Sequence, residues 1–431
     1  MSPNTLSETS AVVCLLCLLL TPCAGAGLAL INAGLGRSRN AAHSILSALC
    51  VVAVAAVVYA AIGSSWMGFA GHPAHVLTLG GKSWGWLGAE APFFLKLALS
   101  SEPETLAALF GLMGAALAAM IPLSSGADRW RLSASCLSAG AMAGITYPLF
   151  AHWAWGGGWL QTLGHNYGFG RGFLDCGGAA AIQTVGGLTA LSIAWILGPR
   201  RGKYNAGAMP MAIPGHNAVF VVFGCFLAWV GWIGLDGAGA SLFAAAGIPQ
   251  VALAALNATL GAAASALTGA ALTRSRFGRT DASLTANAWV AGLVASSAGC
   301  AFMAPLASML VGVVGGALVV FAVDWLELHL TIDDPGGAIV VHGLNGLWGI
   351  LAAGWFARFP GGASDAGQTM AQTAGIATLI GFVLPLTYGL NRLQNRFRAQ
   401  RVKPESERQG LDLSELGASA YPDLLTHTDD L

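Results

Sequence analysis

The sequence has very little charge. Only 9% of its 431 residues are Asp, Glu, Lys or Arg, 55% are apolar, and the mean hydropathy is +0.66. A soluble domain carries about 25% charged residues. The composition therefore excludes a soluble globular protein and predicts an all-α, polytopic membrane protein without a nucleic-acid partner. The 59 glycines fit this prediction, because small residues let membrane helices pack closely.

The sequence also lacks the usual signs of catalytic, redox or metal chemistry. Its eight cysteines fall mostly in apolar runs without metal-ligand spacing, and the pair Cys14 and Cys17 lies inside an apolar helix. We interpret them as small core residues. There is no nucleophile–base–orienter set and no phosphate-binding loop. The sequence predicts no enzyme activity, no cofactor and no metal.

The N-terminus has no Lys or Arg before its first apolar run, and the run is too long for a signal peptide, so we interpret it as a membrane span. Ten further spans follow, and a loop rich in Gly, Trp and His at 64–92 separates the second span from the third. The eleven predicted spans are 11–33, 43–63, 105–122, 132–153, 177–197, 217–235, 248–272, 284–302, 304–325, 338–357 and 372–391.

The basic residues orient these spans. Sixteen of the 20 Lys and Arg fall after odd-numbered spans or in the C-terminal tail, and only Lys82, Lys96, Arg171 and Arg358 fall on the other side. By the positive-inside rule, the transmembrane domain 1–391 has its N-terminus outside, and the tail 392–431 is cytoplasmic. We expect a multi-pass protein of the cell (inner) membrane.

One pattern occurs twice in the chain. Asp175-Cys-Gly-Gly-Ala, three residues, Gln183 and then Gly187 matches Asp334-Pro-Gly-Gly-Ala, three residues, His342 and then Gly346. Each aspartate is predicted to cap a helix start. Eight residues of helix span about 12 Å, close to half of a hydrocarbon core of about 30 Å. Gln183 and His342 are therefore predicted near the membrane midplane.

The two copies lie in spans five and ten. Two five-span units in tandem have opposite orientations, which predicts two inverted repeats plus a final helix, with Gln183 and His342 face to face. An ionisable group at this depth usually has a function, although a histidine that only packs between helices is the plain alternative. The charged tail also has two interpretations, as a solvated segment or as a regulatory one, and its composition favours the solvated segment.

Several ordered motifs resemble the ammonium transporter (Amt/Mep/Rh) family, its Amt branch in particular. The similar segments cover nearly the whole chain: Gly27–Leu30, Gly34–Asn40, Ala151–Gly158, Leu197–Gly202, Pro214–Asn217, Gly231–Gly234, Asp333–Pro335 and Glu405–Asp412 with Tyr421. The resemblance implies a homotrimer of eleven-helix protomers, each with a narrow pore. It also implies a cytoplasmic tail that takes part in control, through Glu405, Glu407, Gly410, Leu411 and Asp412, and often a PII-type signalling protein as partner.

The resemblance assigns site residues, with departures at the pore. His342 matches the second histidine of the family's pore pair, and Gln183 stands where the first is expected. At the external cation site Trp155 matches the family's Trp, but Gly239 replaces a Ser and Asp236 replaces a nearby Asn. Leu235 stands for one of two gating phenylalanines, and the other has no aromatic counterpart at 100–105. Asp175 and Asp334 match the structural aspartates.

These departures have chemical consequences. An imidazole pair can pass a proton, whereas Gln183 can only hydrogen-bond to His342. The pore is then expected to pass neutral ammonia, or a proton by a route that avoids position 183. A carboxylate could rebuild the outer site beside Trp155, from Asp236, Glu102 or Glu104, although Ser101 to Glu104 also reads as an ordinary capping box. Leu235 keeps an apolar constriction.

Three functions are compatible with this sequence. The first is ammonium or ammonia transport through a pore in each protomer. The second is an ammonium sensor on the same fold with little flux. The altered pore residues favour this function. The third is a channel for another small neutral gas. We prefer transport, because the similarity in fold is long and a pore is its usual use.

Overall fold

The computed structural model describes residues 6–97, 102–359 and 366–422. Ten helices in these residues are long and apolar enough to cross a membrane, and an eleventh, with 16 residues, lies among them. In chain order they are α1 (Glu8–Leu35), α2 (Ser38–Met67), α3 (Pro103–Gly126), α4 (Leu132–Trp155), α5 (Ala179–Leu197), α6 (Ala218–Phe243), α7 (Ile248–Phe277), α8 (Ala282–Ser297), α9 (Pro305–Leu330), α10 (Ile339–Phe356) and α11 (Ala366–Phe397). A short helix α12 (Pro404–Gln409) follows in the tail.

Polar side chains and prolines fix several of the helix starts. The Asn217 side chain accepts a hydrogen bond from the Phe220 amide at 3.0 Å, and Asp281 accepts one from the Leu284 amide at 2.8 Å. Such caps satisfy amide groups that have no partner within the helix. The last helix extends beyond the predicted boundary at 391 to Phe397, so the tail proper begins after that residue.

The predicted loop at 64–92 contains a β-hairpin. Strand β1 (Ala74–Leu79) pairs antiparallel with β2 (Lys82–Gly88). Gly80 and Gly81 join them with positive φ angles of 57° and 76°, which is the backbone that a two-residue hairpin turn requires. We call the hairpin side of the helices the hairpin face. The opposite side, with the Arg-rich loops and the tail, is the basic face.

The two copies of the sequence repeat form matching structures on opposite faces. α5 begins from the hairpin face after Gly178 (φ 86°), and α10 begins from the basic face after Gly337 (φ 78°). Both helices open with a π-helical turn, Ala179–Thr184 and Ile339–Leu344. Such turns are rare and occur often at functional sites.

α5 and α10 cross in a reciprocal way at the centre of the molecule. A Cβ on Gly187 would overlap with the backbone of Gly343, and a Cβ on Gly346 would overlap with the hydroxyl of Thr184. Gly187 and Gly346 are equivalent in the repeat, and so are Thr184 and Gly343. Each contact therefore occurs twice, as a twofold axis in the membrane plane requires, and the predicted inverted repeat is present. α5 is among the most buried helices.

Candidate functional site

The central crossing places Gln183 and His342 side by side. The Nδ1 atom of His342 donates to the Gln183 Oε1 atom at 2.8 Å, and both side chains are buried. With its proton on Nδ1, the imidazole presents a lone pair at Nε2. The indole of Trp232 faces the imidazole, with ring centroids 6.4 Å apart. The structure therefore joins the two residues that the sequence repeat singled out.

Asp175 and Asp334 stand at the starts of these two helices. Asp175 accepts hydrogen bonds from the amides of Ala180 and Ala181 at 3.2 and 3.0 Å, and Asp334 accepts one from the Ile339 amide at 2.7 Å. The aspartates hold the first turns that carry the midplane pair. Burial raises the pKa of the Asp334 carboxyl, although its hydrogen bonds act in the opposite direction.

A cavity of about 950 Å³ opens on the hairpin face, and we call it the vestibule. Trp155 and Phe243 line it and stack with ring centroids 4.7 Å apart and planes at 9°. Phe110 packs edge-on against both rings, at 5.5 and 5.0 Å. The Trp155 indole nitrogen donates to the Asp175 carbonyl at 2.8 Å, which fixes the orientation of the ring in the vestibule. Glu104 also lines the vestibule.

Phe110 and Phe243 were missed by reasoning from the sequence. The segment 100–105 lies at the start of α3, whereas Phe110, the ring that reaches Trp155, stands further along that helix. The side chain of Glu102 and all of Ser100 and Ser101 lie outside the described residues.

The other two candidates, Leu235 and Asp236, are fully buried in α6. Asp236 does not line the vestibule with Trp155. It packs instead against Gly177, in the segment that leads into α5, where a Cβ would overlap with the carboxylate. Neither of its oxygens has a hydrogen-bond partner within the described residues.

A cluster of charged residues links the loops of the basic face. Arg200 binds both carboxylate oxygens of Asp333, at 2.9 and 3.0 Å, and reaches Asp128 at 3.2 Å. Arg129 donates to the Asp333 carbonyl at 2.8 Å. Burial acts to raise the pKa of Asp333, but the hydrogen bonds from Arg200 outweigh it, so the pKa lies below its ordinary value. The cluster fixes the residue that precedes the Asp334 cap.

The tail packs on this basic face rather than extending into solvent. Buried Glu407 pairs with Arg401 at 2.8 Å and accepts from the Arg201 amide at 2.7 Å. The Leu411 amide donates to Asn40 Oδ1 at 2.7 Å. A side chain on Gly410 (φ 102°) would strike Arg39. Glu405, in contrast, is exposed.

Two further carboxylates of the tail accept hydrogen bonds from backbone amides at the N-terminal ends of helices. Asp412 accepts from the amides of Ala42 and His43, at 3.2 and 2.7 Å, at the beginning of α2. Glu415 accepts from the Leu132 amide at 2.9 Å at the beginning of α4 and contacts the His43 ring at 3.0 Å. The tail thus supplies caps to two helices that are distant from it in sequence.

Comparisons with known proteins cover almost the whole chain. The Ammonium Transporter Family matches residues 12–421. The ammonium transporter Amt2 of Archaeoglobus fulgidus is 34% identical over 95% of this chain and 88% of its own. A solved structure titled Sensor Amt Protein superposes with a TM-score of 0.85 and 26% identity, over 94% of this chain and 98% of its own. Mep2 of Candida albicans, at 24% identity, has the same fold, with a TM-score of 0.80 over 97% of this chain and 91% of its own.

Proposed function

The chain belongs to the ammonium transporter family and is a membrane transporter of ammonium or ammonia, and we propose that its pore at Gln183 and His342 passes the neutral form. The observation that carries this proposal is the 2.8 Å hydrogen bond between the two side chains. Gln183 has no titratable proton, so a proton relay along the pair is interrupted. Ammonia can donate an N–H to the free Nε2 atom of His342 without bringing a charge to the midplane, where charges are costly.

The vestibule is proposed as the place where the cation is first held. The stacked rings of Trp155 and Phe243 and the edge of Phe110 form an aromatic wall, and a cation is attracted to such ring faces. Glu104 in the same cavity adds negative charge. Below it, buried Leu235 keeps the passage apolar, which excludes hydrated ions.

An ammonium sensor is the second candidate, and the similarity to the Sensor Amt Protein favours it. In such a sensor, the tail docked on the basic face would be the segment that changes its packing when ammonium binds. Transport has the broader support, because the family match and the Archaeoglobus relative both bear the name of transporters.

Assembly and orientation are proposals as well. We propose a homotrimer in the cell membrane with the basic face in the cytoplasm, and a PII-type protein as partner on that face. The Arg-rich loops support the orientation. The exposed apolar side chains of Val219, Phe223 and Phe226 on α6 and Leu306 and Leu310 on α9 offer surface for lipid or neighbouring protomers.

The test uses purified protein in liposomes that receive an ammonium pulse. Internal alkalinisation, above that of protein-free liposomes, and electrical current on a solid-supported membrane are measured for the wild type and for His342→Ala. His329→Ala is the matched control, since that histidine is exposed at the end of α9.

We expect alkalinisation without current in the wild type and in His329→Ala, and its loss in His342→Ala. A current of the size of the alkalinisation flux would contradict neutral passage. Neither signal, together with calorimetric ammonium binding that Trp155→Ala weakens, would favour the sensor.

A further inference from the structure

Asp236 is a buried acid of α6 that lies outside the vestibule lining. Its side chain is fully buried in α6 and neither oxygen has a hydrogen-bond partner within the described residues. The hydroxyl of Ser297 lies beside the carboxyl group, but it is engaged by the Leu293 carbonyl at 2.8 Å, so it offers Asp236 at most a shared hydrogen bond. An isolated carboxylate in such surroundings costs several kcal/mol, so the group is stable as a neutral acid or beside a cation.

The position of Asp236 lies between the vestibule and the midplane. It follows Trp232 by four residues, which puts both on one face of α6, roughly 6 Å apart along the axis. Trp232 faces His342 on the midplane side. On the vestibule side, Asp236 touches Gly177, two residues after Asp175, whose carbonyl holds the Trp155 indole.

Two unpaired donors continue this line towards the centre. The Nε1 atom of Trp232 and the Nε2 atom of Gln183 are buried and have no partner within the described residues. From the order of these positions, a molecule that moved inwards from Asp236 would meet the Trp232 N–H and then the Gln183 N–H beside the imidazole. Ammonia has a lone pair that can accept from each, whereas ammonium has none. The change from cation to neutral molecule therefore belongs at or before Asp236.

We propose that Asp236 is the proton acceptor that converts ammonium to ammonia on its way to His342. This inference rests on the proposed function and names the acceptor that neutral passage requires. Ammonium first replaces the proton of the Asp236 acid, and that proton leaves to vestibule water. One N–H bond of the ammonium then breaks and an O–H bond forms on Asp236, which releases ammonia inwards and restores the acid. The net result is ammonia inside and one proton left in the vestibule.

The titratable groups that face Asp236 do not take over this role. Asp175, on the segment before α5, receives two backbone hydrogen bonds as a helix cap. Cys300, which follows α8, lies beside Asp236 and Cys176 and is fully buried. Within the described residues, no Lys, Arg or His side chain pairs with Asp236 to hold it ionised.

Uptake kinetics of Asp236→Asn in liposomes test the proposal. Free ammonia is held constant while external pH changes the ammonium concentration. We expect the wild-type rate to rise with ammonium, because ammonium is the form that reaches Asp236. The variant should lose this dependence and follow free ammonia alone. Asp324→Asn, on a half-exposed acid of α9 paired with Arg276, is the matched control and should behave as the wild type.

Infrared difference spectroscopy gives a second measurement that does not need transport. The wild type should show the C=O band of a protonated carboxyl that shifts with carbon-13 aspartate, falls when ammonium is added, and is absent from Asp236→Asn. An unchanged ammonium dependence in that variant would overturn the proposal. So would the absence of the band from the wild type, even if the variant cannot be purified. A wild type that gives no alkalinisation, although its carboxyl band still falls when ammonium is added, would instead contradict neutral transport.

Discussion

The pore and the basic face both bury polar groups, but they satisfy them differently. At the basic face, the guanidinium of Arg200 makes three hydrogen bonds to Asp333 and Asp128. Along the proposed pore, the amide nitrogen of Gln183 and both oxygens of Asp236 have no partner within the described residues.

The difference separates polar groups that hold the structure together from polar groups that are free to bind a molecule. Paired charges lock the loops in one arrangement, because the loss of either partner leaves an uncompensated buried charge. Unpaired polar atoms are unusual inside proteins and need an explanation. In a pore they can bind a molecule that passes. This contrast can be tested by removing a paired charge at the basic face and by changing the polar and aromatic side chains of the proposed pore and vestibule.

The largest effect is expected from Arg200→Ala. Asp333 and Asp128 would lose their nearest cationic partner, which costs about 3–5 kcal/mol, and the yield of folded protein and its thermal stability in detergent should fall strongly. Arg201→Ala is the matched control, because the next arginine exposes its side chain. Equal stability of the two variants would mean that the cluster does not hold the loops.

Next in size is the effect of Gln183→His. A second imidazole restores a titratable relay at the midplane, and proton transfer by a positioned group is worth on the order of 100-fold or more. We expect an ammonium-dependent current on a solid-supported membrane where the wild type gives alkalinisation alone. Gln183→Ala, which adds no relay, should give no current. A current in both would point to a leak through an enlarged pore.

A smaller effect is expected from Trp155→Leu in the vestibule. Removal of a partly desolvated cation–π contact costs about 1–2 kcal/mol, and about 1.4 kcal/mol corresponds to tenfold. The ammonium concentration for half-maximal uptake should rise by about that factor, with little change in maximal rate. Trp195→Leu, on an exposed part of α5, should leave both values unchanged. A fall in maximal rate alone would place Trp155 outside the recruitment step.

The smallest effect concerns the tail and its pH dependence. Burial acts to raise the pKa of Glu415, but hydrogen bonds from His43 and the Leu132 amide outweigh it, so its pKa is lowered. Ionised Glu415 therefore stabilises tail docking above the ordinary carboxyl pKa, and this contribution is lost as the pH falls through the lowered value. Limited proteolysis of the tail should accelerate in that range.

Glu415→Gln should raise the cleavage rate at neutral pH, with a cost of about 1 kcal/mol, and should remove that part of the acid dependence. Glu405→Gln, on an exposed side chain, is the control. A wild-type tail whose cleavage does not change with pH would contradict this account.

Much of this arrangement could be predicted from the sequence. The repeated Asp-x-Gly-Gly-Ala pattern located Gln183 and His342, because helical rise converts spacing into depth. The Gly80–Gly81 turn is a hairpin signal that the interpretation of 64–92 as a loop overlooked. The composition of the tail favoured a solvated segment, since its docking depends on backbone amides of distant loops that no local pattern displays.

The outer site was harder to predict. Its aromatic wall joins Phe110, Trp155 and Phe243 from three helices, and the register between helices cannot be read from spacing along one of them. Asp236 was expected beside Trp155 because the family resemblance places it at an Asn position near the external cation site. The side of α6 on which Asp236 lies depends on how that helix packs against Gly177.

The docking of the tail has a consequence for biogenesis. The tail is synthesised after all eleven helices, and its partners are segments made much earlier, after α1, α3 and α5. Asn40 binds the Leu411 amide, the Arg131 amide binds the Gln400 carbonyl, and the Arg201 amide binds Glu407. All three loops share a face with the tail only if every helix has been inserted in alternation. A chain that skipped one helix would carry its tail to the opposite side of the membrane. Docking of the tail therefore requires that every helix before it has been inserted with the alternating orientation.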